Sequence, residues 1–237
     1  MKFNLRKTIM GVAASLPLLF GASNAMSADV ELALAIDRSG SISGADFALQ
    51  IGAYASALND STILPQDGSV AIGVWSFGQT VVEHFAMTDI TAGNIGNLIT
   101  AINGITQFSA GATALGPAIE DAAAALLAYD TGATRQVIDV STDGSGNTGI
   151  NQVTAATNAI AAGVDTINCI GVGPFASCNF EMGTNSFEVL ADSFADFESA
   201  LRLKLRREIT GVPEPMTLAL MGIALAGIGA TSKRRKA

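Results

Sequence analysis

Histidine is nearly missing from this chain: His84 is the only one among 237 residues. Hydrolysis of the Ser–His–Asp or Cys–His kind needs an imidazole beside its nucleophile. His84 lies far along the chain from any nucleophile signature, and no Gly-x-Ser-x-Gly turn is present. Cysteine is scarce too. Cys169 and Cys178 are the only two, and two cysteines alone do not make a zinc site. Positive charge is the third scarcity. Residues 26–212 carry six Lys/Arg (Arg38, Arg135, Arg202, Lys204, Arg206 and Arg207) against twenty Asp/Glu, a balance of −14. The whole-chain value of −8 conceals this, because seven of the thirteen basic residues lie in the two end segments. An acidic module of this kind repels nucleic acid and anionic membrane surfaces and is compatible with divalent cations. No nucleic-acid partner is expected.

The two ends follow a logic of their own. Residues 1–25 read as a secretory signal peptide: Lys2, Arg6 and Lys7 form a basic start, Ile9 to Phe20 is mostly apolar, and Ser23-Asn24-Ala25 offers small residues before a cut. A buried N-terminal helix is the alternative. At the other end, Val212-Pro213-Glu214-Pro215 cannot continue a helix. Residues 216–230 are wholly uncharged, and Lys233-Arg234-Arg235-Lys236 follows. Fifteen residues give about 22 Å of helix. That is short of the ~30 Å hydrocarbon core, so Thr231, Ser232 and local thinning must help it span. The basic cluster stays cytoplasmic, which sends the domain across the membrane. This tripartite end resembles the PEP-CTERM sorting signal of Gram-negative bacteria. The resemblance implies cleavage near Pro213–Pro215 by a membrane exosortase, transient anchoring in the inner membrane, and export to the periplasm, cell surface or extracellular matrix.

In an exported protein, two cysteines are compatible with one disulfide, closing a short loop around Gly171-Val172-Gly173-Pro174. Two free thiols are the alternative. Between the ends, strand-like and helix-like stretches mostly alternate. Apolar runs at 30–36, 69–77, 79–87, 135–141 and 165–172 predict strands, with a hairpin at Gly78 and a short last strand at 186–190. Patterns at 45–58, 91–105, 113–128, 151–162 and 193–209 predict helices. The alternation argues for a three-layer α/β fold: a doubly wound, mostly parallel sheet with helices on both faces. Ligands of such sheets bind beyond the carboxyl ends of the strands.

The first strand ends there in Asp37-Arg38-Ser39-Gly40-Ser41, one carboxylate and two hydroxyls at alternate positions. Oxygen ligands of this sort suit a hard divalent cation. Thr113 supplies a hydroxyl in a small-residue loop before a helix, and Thr142-Asp143-Gly144 ends another strand in a carboxylate. If those two strands are neighbours, Asp37 and Asp143 meet at the sheet edge and Thr113 closes a third side. This ordered set resembles the metal-ion-dependent adhesion site (MIDAS) of the Rossmann-like von Willebrand factor type A (vWA) fold. The resemblance covers residues 29–210. More narrowly, residues 135–141 and 163–168 resemble a secreted bacterial subfamily with no assigned biochemical role. The resemblance implies direct Mg²⁺ ligation by Ser39 and Ser41, direct or water-mediated ligation by Thr113, and ligation mostly through water by Asp37 and Asp143. Mn²⁺ and Ca²⁺ are not distinguished from Mg²⁺ by it.

Capping of turns and helix starts is the plainer role for both aspartates. Asp139 lies inside an apolar strand, where an unpaired charge is expensive. It is expected to pair with a hydroxyl or backbone donor, or else to support the metal site. The Asp143–Asn147 loop has Thr154 where an EF-hand has its glutamate, which excludes that form. His84 reads as a surface residue and Trp75 as core. The functional expectation is an exported, non-enzymatic module. It captures an acidic group of a protein or polysaccharide through its cation. A metal-dependent hydrolase and a purely structural surface or matrix protein are the alternatives.

Overall fold

The computed structural model describes residues 28–108 and 111–211. The signal peptide (1–25), the sorting motif Val212–Pro215 and the apolar segment 216–230 lie outside the described residues. No helix among the described residues is long and apolar enough to cross a membrane.

Seven strands form one sheet. The order is β3 (Val81–Thr91), β2 (Asp67–Phe77), β1 (Val30–Asp37), β4 (Arg135–Thr142), β5 (Thr166–Val172), with two short strands sharing the far edge of β5. These are β6 (Met182–Gly183) and β7 (Glu188–Ala191). Strands β2, β1, β4, β5 and β7 run parallel, while β3 and β6 are antiparallel. The chain passes from β1 outward to β2 on one side and later to β4 on the other. The β1–β4 seam is therefore the switch in strand order, where the carboxyl edge opens into a crevice.

Side-chain alternation along β1 feeds two separate cores. Leu32, Leu34 and Ile36 pack with α1 (Gly44–Asn59), α2 (Ile95–Asn103) and α5 (Phe197–Thr210). Ala33 and Ala35 face α3 (Leu115–Tyr129) and α4 (Gln152–Ala162). Alanines suit that second face, because α3 and α4 carry their own alanines and the layers approach closely. Trp75 is buried there.

Some boundaries differ from the sequence reading. Strand β3 runs on to Thr91 and α2 starts only at Ile95, because the Asn94 side chain makes a local turn. Its Oδ1 accepts from Thr91 N at 2.8 Å and its Nδ2 donates to Asp89 O at 2.8 Å. The final helix starts at Phe197, after the Ser193 hydroxyl has bonded Asp196 at 2.8 Å. Cys169 and Cys178 are joined as a disulfide.

The largest correction concerns Asp139. Its partner is neither a hydroxyl nor the backbone but the Lys204 ammonium, 2.5 Å away. Both side chains are fully buried. The expectation failed because Lys204 lies 65 positions later, on a helix where its i,i+4 partner Glu208 gives it the look of a surface pair. His84 is half-buried rather than on the surface. Its Nε2 lies 2.7 Å from Ser76 Oγ.

Candidate metal centre

Parallel pairing of β1 with β4 sets Ile36 opposite Ser141, so the next residues, Asp37 and Thr142, meet at the edge. The β1–α1 turn folds on itself there. Asp37 Oδ1 accepts from Ser39 N at 2.8 Å, an Asx-type turn that reverses the chain. The turn ends at Ser43, whose hydroxyl caps α1 by accepting from Asp46 N at 3.2 Å. Between these anchors, Ser39 Oγ lies 3.0 Å from Ser41 Oγ, and Ser41 Oγ donates to Asp143 Oδ1 at 2.8 Å. The two ends of the motif are thus joined across the seam, as their order in the sequence requires.

Thr113 enters from a third loop. Its backbone N donates to Asn147 Oδ1 at 2.8 Å, and Asn147 N donates back to Thr113 O at 2.9 Å. Ala114 N donates to Gly78 O at 2.7 Å, which ties the same loop to the end of β2. Phe108 N donates to Arg38 O at 3.0 Å, and the Gln107 side chain donates to Ile42 O. The loops carrying Asp37, Thr113 and Asp143 are laced to one another by main-chain and amide bonds. Gly116 makes this closeness feasible, because a Cβ there would stand 2.0 Å from Ile150 O.

Burial is graded across the site. Asp37, Ser39 and Thr113 are buried, Asp143 is half-buried, and Ser41 is exposed, so the cluster opens to solvent on the Ser41 side. Burial pushes the Asp37 carboxyl up to about 6, with the nearby Asp143 charge acting the same way. Hydrogen bonds from Ser39 and Thr142 pull against them. Burial also raises Asp143, opposed by the Ser41 hydrogen bond. Among the described residues, neither carboxylate has an ion-pair partner. Two acidic groups taken out of water with no cation beside them are costly. A divalent ion would supply the missing charge, and the all-oxygen donor set suits a hard cation. The residues present therefore fit such an ion. Among the described residues no three His, Cys, Asp or Glu side chains form a metal-binding group.

Three supporting residues escaped the sequence reading. Thr142 Oγ1 donates to Asp37 Oδ2 at 2.8 Å, and Gln50 Nε2 donates to Asp37 O at 2.7 Å. Asn147 holds Thr113. Thr142 could have been found, since a parallel β1–β4 pairing in register places it beside Asp37. Gln50 and Asn147 leave no such signal, because a helix face and a loop bend put them there.

The sheet order, the helices on both faces and the hydroxyl–carboxylate edge define the class: this is a vWA fold. Solved structures support it. The chain is similar to proximal thread matrix protein 1 from the mussel byssus, with 18% identity and a TM-score of 0.65, over 77% of this chain and 47% of that one. A second structure of that mussel protein, with a zinc-occupied MIDAS motif, matches at 20% identity and a TM-score of 0.60, over 76% and 46%. A von Willebrand factor type A protein from Catenulispora acidiphila matches at 16% identity and a TM-score of 0.61, over 77% and 43%. The chain spans just under half the length of these proteins. No curated protein matches it. Residues 27–213 match DUF1194, described as a protein of unknown function, and the chain belongs to that family. Residues 211–236 match the PEP-CTERM protein-sorting motif, which implies exosortase processing and export to the envelope of a Gram-negative bacterium.

Proposed function

We propose that this protein is an exported binding module that holds a divalent cation with Asp37, Ser39, Ser41, Thr113 and Asp143 and uses it to capture a carboxylate. The carboxylate belongs to a protein or an acidic polysaccharide at the cell surface. The observation that carries this reading is the chain of hydroxyls linking Asp143 through Ser41 to Ser39 at an open sheet edge, beside two carboxylates with no cation of their own. In this reading Ser39, Ser41 and Thr113 are the neutral direct ligands and Asp37 and Asp143 hold the ion through water, so its inner shell carries no negative charge and can take a partner's carboxylate. That matters on a domain of balance −14, which repels acidic partners everywhere else. The mussel protein with a zinc-occupied MIDAS motif lends support by its fold. The all-oxygen donors suit Mg²⁺, and equally Mn²⁺ or Ca²⁺.

Capture of a partner needs no bond-breaking, and no histidine stands among the candidate ligands. The Ser76–His84 contact resembles a nucleophile–base pair in distance only. Ser76 is 0% exposed, so no substrate carbonyl can reach its hydroxyl. The test is retention of the exported protein on immobilised acidic polysaccharides and envelope proteins, in Mg²⁺ and in EDTA. Retention lost in EDTA and in Ser41→Ala supports capture through the ion. Retention unchanged by EDTA contradicts it and favours a matrix role in which the metal is dispensable.

A further inference from the structure

The interior holds a second cluster of charged groups, well away from the edge site. Lys204 Nζ of α5 lies 2.5 Å from Asp139 Oδ1 of β4 and 2.5 Å from Glu208 Oε1, one helical turn on. All three side chains are 0% exposed. Asn168 of β5 donates its Nδ2 to Glu208 Oε1 at 2.8 Å, and the Phe187 ring centroid lies 5.8 Å from Lys204 Nζ. Asp139 Oδ2 and Glu208 Oε2 have no hydrogen-bond partner. Tyr54 of α1 is also buried here, and burial together with the Asp139 and Glu208 charges holds its hydroxyl well above the usual range.

One ammonium serves two fully buried carboxyl groups. Such an arrangement bears the full desolvation cost of its charges and satisfies few of their lone pairs. Its geometry is also that of a condensation. An amine nitrogen and a carboxyl are held in contact with water excluded, and a second carboxyl touches the same nitrogen. We propose that Lys204 and Asp139 condense to an intramolecular isopeptide bond, with Glu208 as the proton carrier, so that α5 is covalently stapled to the central strand β4.

The step balances without an oxidant or a co-reactant. Lys204 Nζ forms a bond to Asp139 Cγ, and a Cγ–Oδ bond breaks. The ammonium gives up two protons, the third staying as the amide N–H, and the departing oxygen leaves with those two as one water. Glu208 delivers its own proton to the leaving oxygen and takes one from Nζ in its place, the second Nζ proton passes to the same oxygen, and Glu208 ends in the state in which it began. Burial and the Asp139 charge push its carboxyl up to about 8, so near neutral pH it has a proton to pass on. The product removes two charges from the core and leaves Glu208 beside a neutral amide. This bond is independent of the metal reading.

The experiment is a tryptic peptide map of the purified, disulfide-reduced full chain by tandem mass spectrometry. No Lys or Arg lies between Arg135 and Arg202, so Asp139 sits in peptide 136–202 and an acylated Lys204 leaves 203–206 uncut. The expected product is a branched species joining 136–202 to 203–206, lighter than their sum by one water. Glu208→Gln is expected to abolish the branch while circular dichroism shows a folded domain. Free peptides cleaved after Lys204 in the wild type overturn the proposal. A branch lighter by ammonia moves the acceptor to Asn168 and overturns the assignment to Asp139. A branch that survives Glu208→Gln overturns the proton-carrier role.

Discussion

Two aspartates four positions apart, one within β4 and one just past its end, stand in opposite circumstances. Asp139 lies mid-strand, fully buried, with the Lys204 ammonium 2.5 Å away. Asp143 lies just past the strand end, half-buried, with only the Ser41 hydroxyl as its side-chain partner. The chain supplies its own cation to the interior acid and none to the edge acid. Charge in a core must be compensated at folding, whereas charge at an opening can be left for a ligand to compensate. The difference separates an aspartate that holds the fold together from one that waits for something outside it.

Lys204→Ala strikes the interior half of this comparison hardest. It leaves the buried Asp139 carboxyl without its Lys204 partner and Glu208 without its nearest donor, and is expected to cost about 3–5 kcal/mol. Urea denaturation in EDTA measures it, and a loss under 1 kcal/mol would erase the distinction. The pH dependence of the metal-free protein follows from the same cluster. While Lys204 and Asp139 are an ion pair, Glu208 keeps its proton to about pH 8 in the folded state, against 4.5 unperturbed. Between those values the folded chain binds the extra proton, so stability falls as pH rises and levels off above about 8. Glu208→Gln should flatten that slope between about pH 7 and 8, above the range in which the raised Asp37 carboxyl contributes in the same direction.

The disulfide braces the edge half. It closes a nine-residue separation, worth about 2.5 kcal/mol in the chain-entropy picture. From inside its loop, Ser177 N donates to Gly144 O at 3.2 Å, next to Asp143. Reduction should therefore lower Tm and also weaken metal affinity by titration calorimetry, while the Lys204–Asp139 contact survives. Asn147→Ala is the mildest change. It removes the acceptor of Thr113 N and should cost about 1 kcal/mol in stability, with a larger proportional loss of metal affinity.

Much of this was legible in the sequence because the apolar runs and breaks are strong. The core strands, both helix layers and the order of the five candidate ligands could be written down from it. Strand β6 could not, since Met182–Gly183 has only two residues and exists by pairing with Thr166 and Ile167. The Asp139 partner could not either. Lys204 precedes Leu205 in an amphipathic helix, and nothing local says which flank of that helix turns inward. Long-range electrostatic pairing has no periodicity. The edge site was readable because each member sits at a strand end or before a helix, and those ends are marked by local chemistry. Thr142 and Asn147 hold two of the candidate ligands in place from positions whose meaning depends on which strands adjoin.

The most direct test of the central claim is the thermal unfolding of wild type and Asp37→Ala, each with Mg²⁺ and with EDTA. A cation bound only by the folded state adds about 2.7 kcal/mol at a hundredfold excess over its dissociation constant. The account predicts that Mg²⁺ raises the wild-type Tm by several degrees and leaves Asp37→Ala unmoved. Equal melting of the wild type in Mg²⁺ and in EDTA, across Mg²⁺, Mn²⁺ and Ca²⁺, would contradict it.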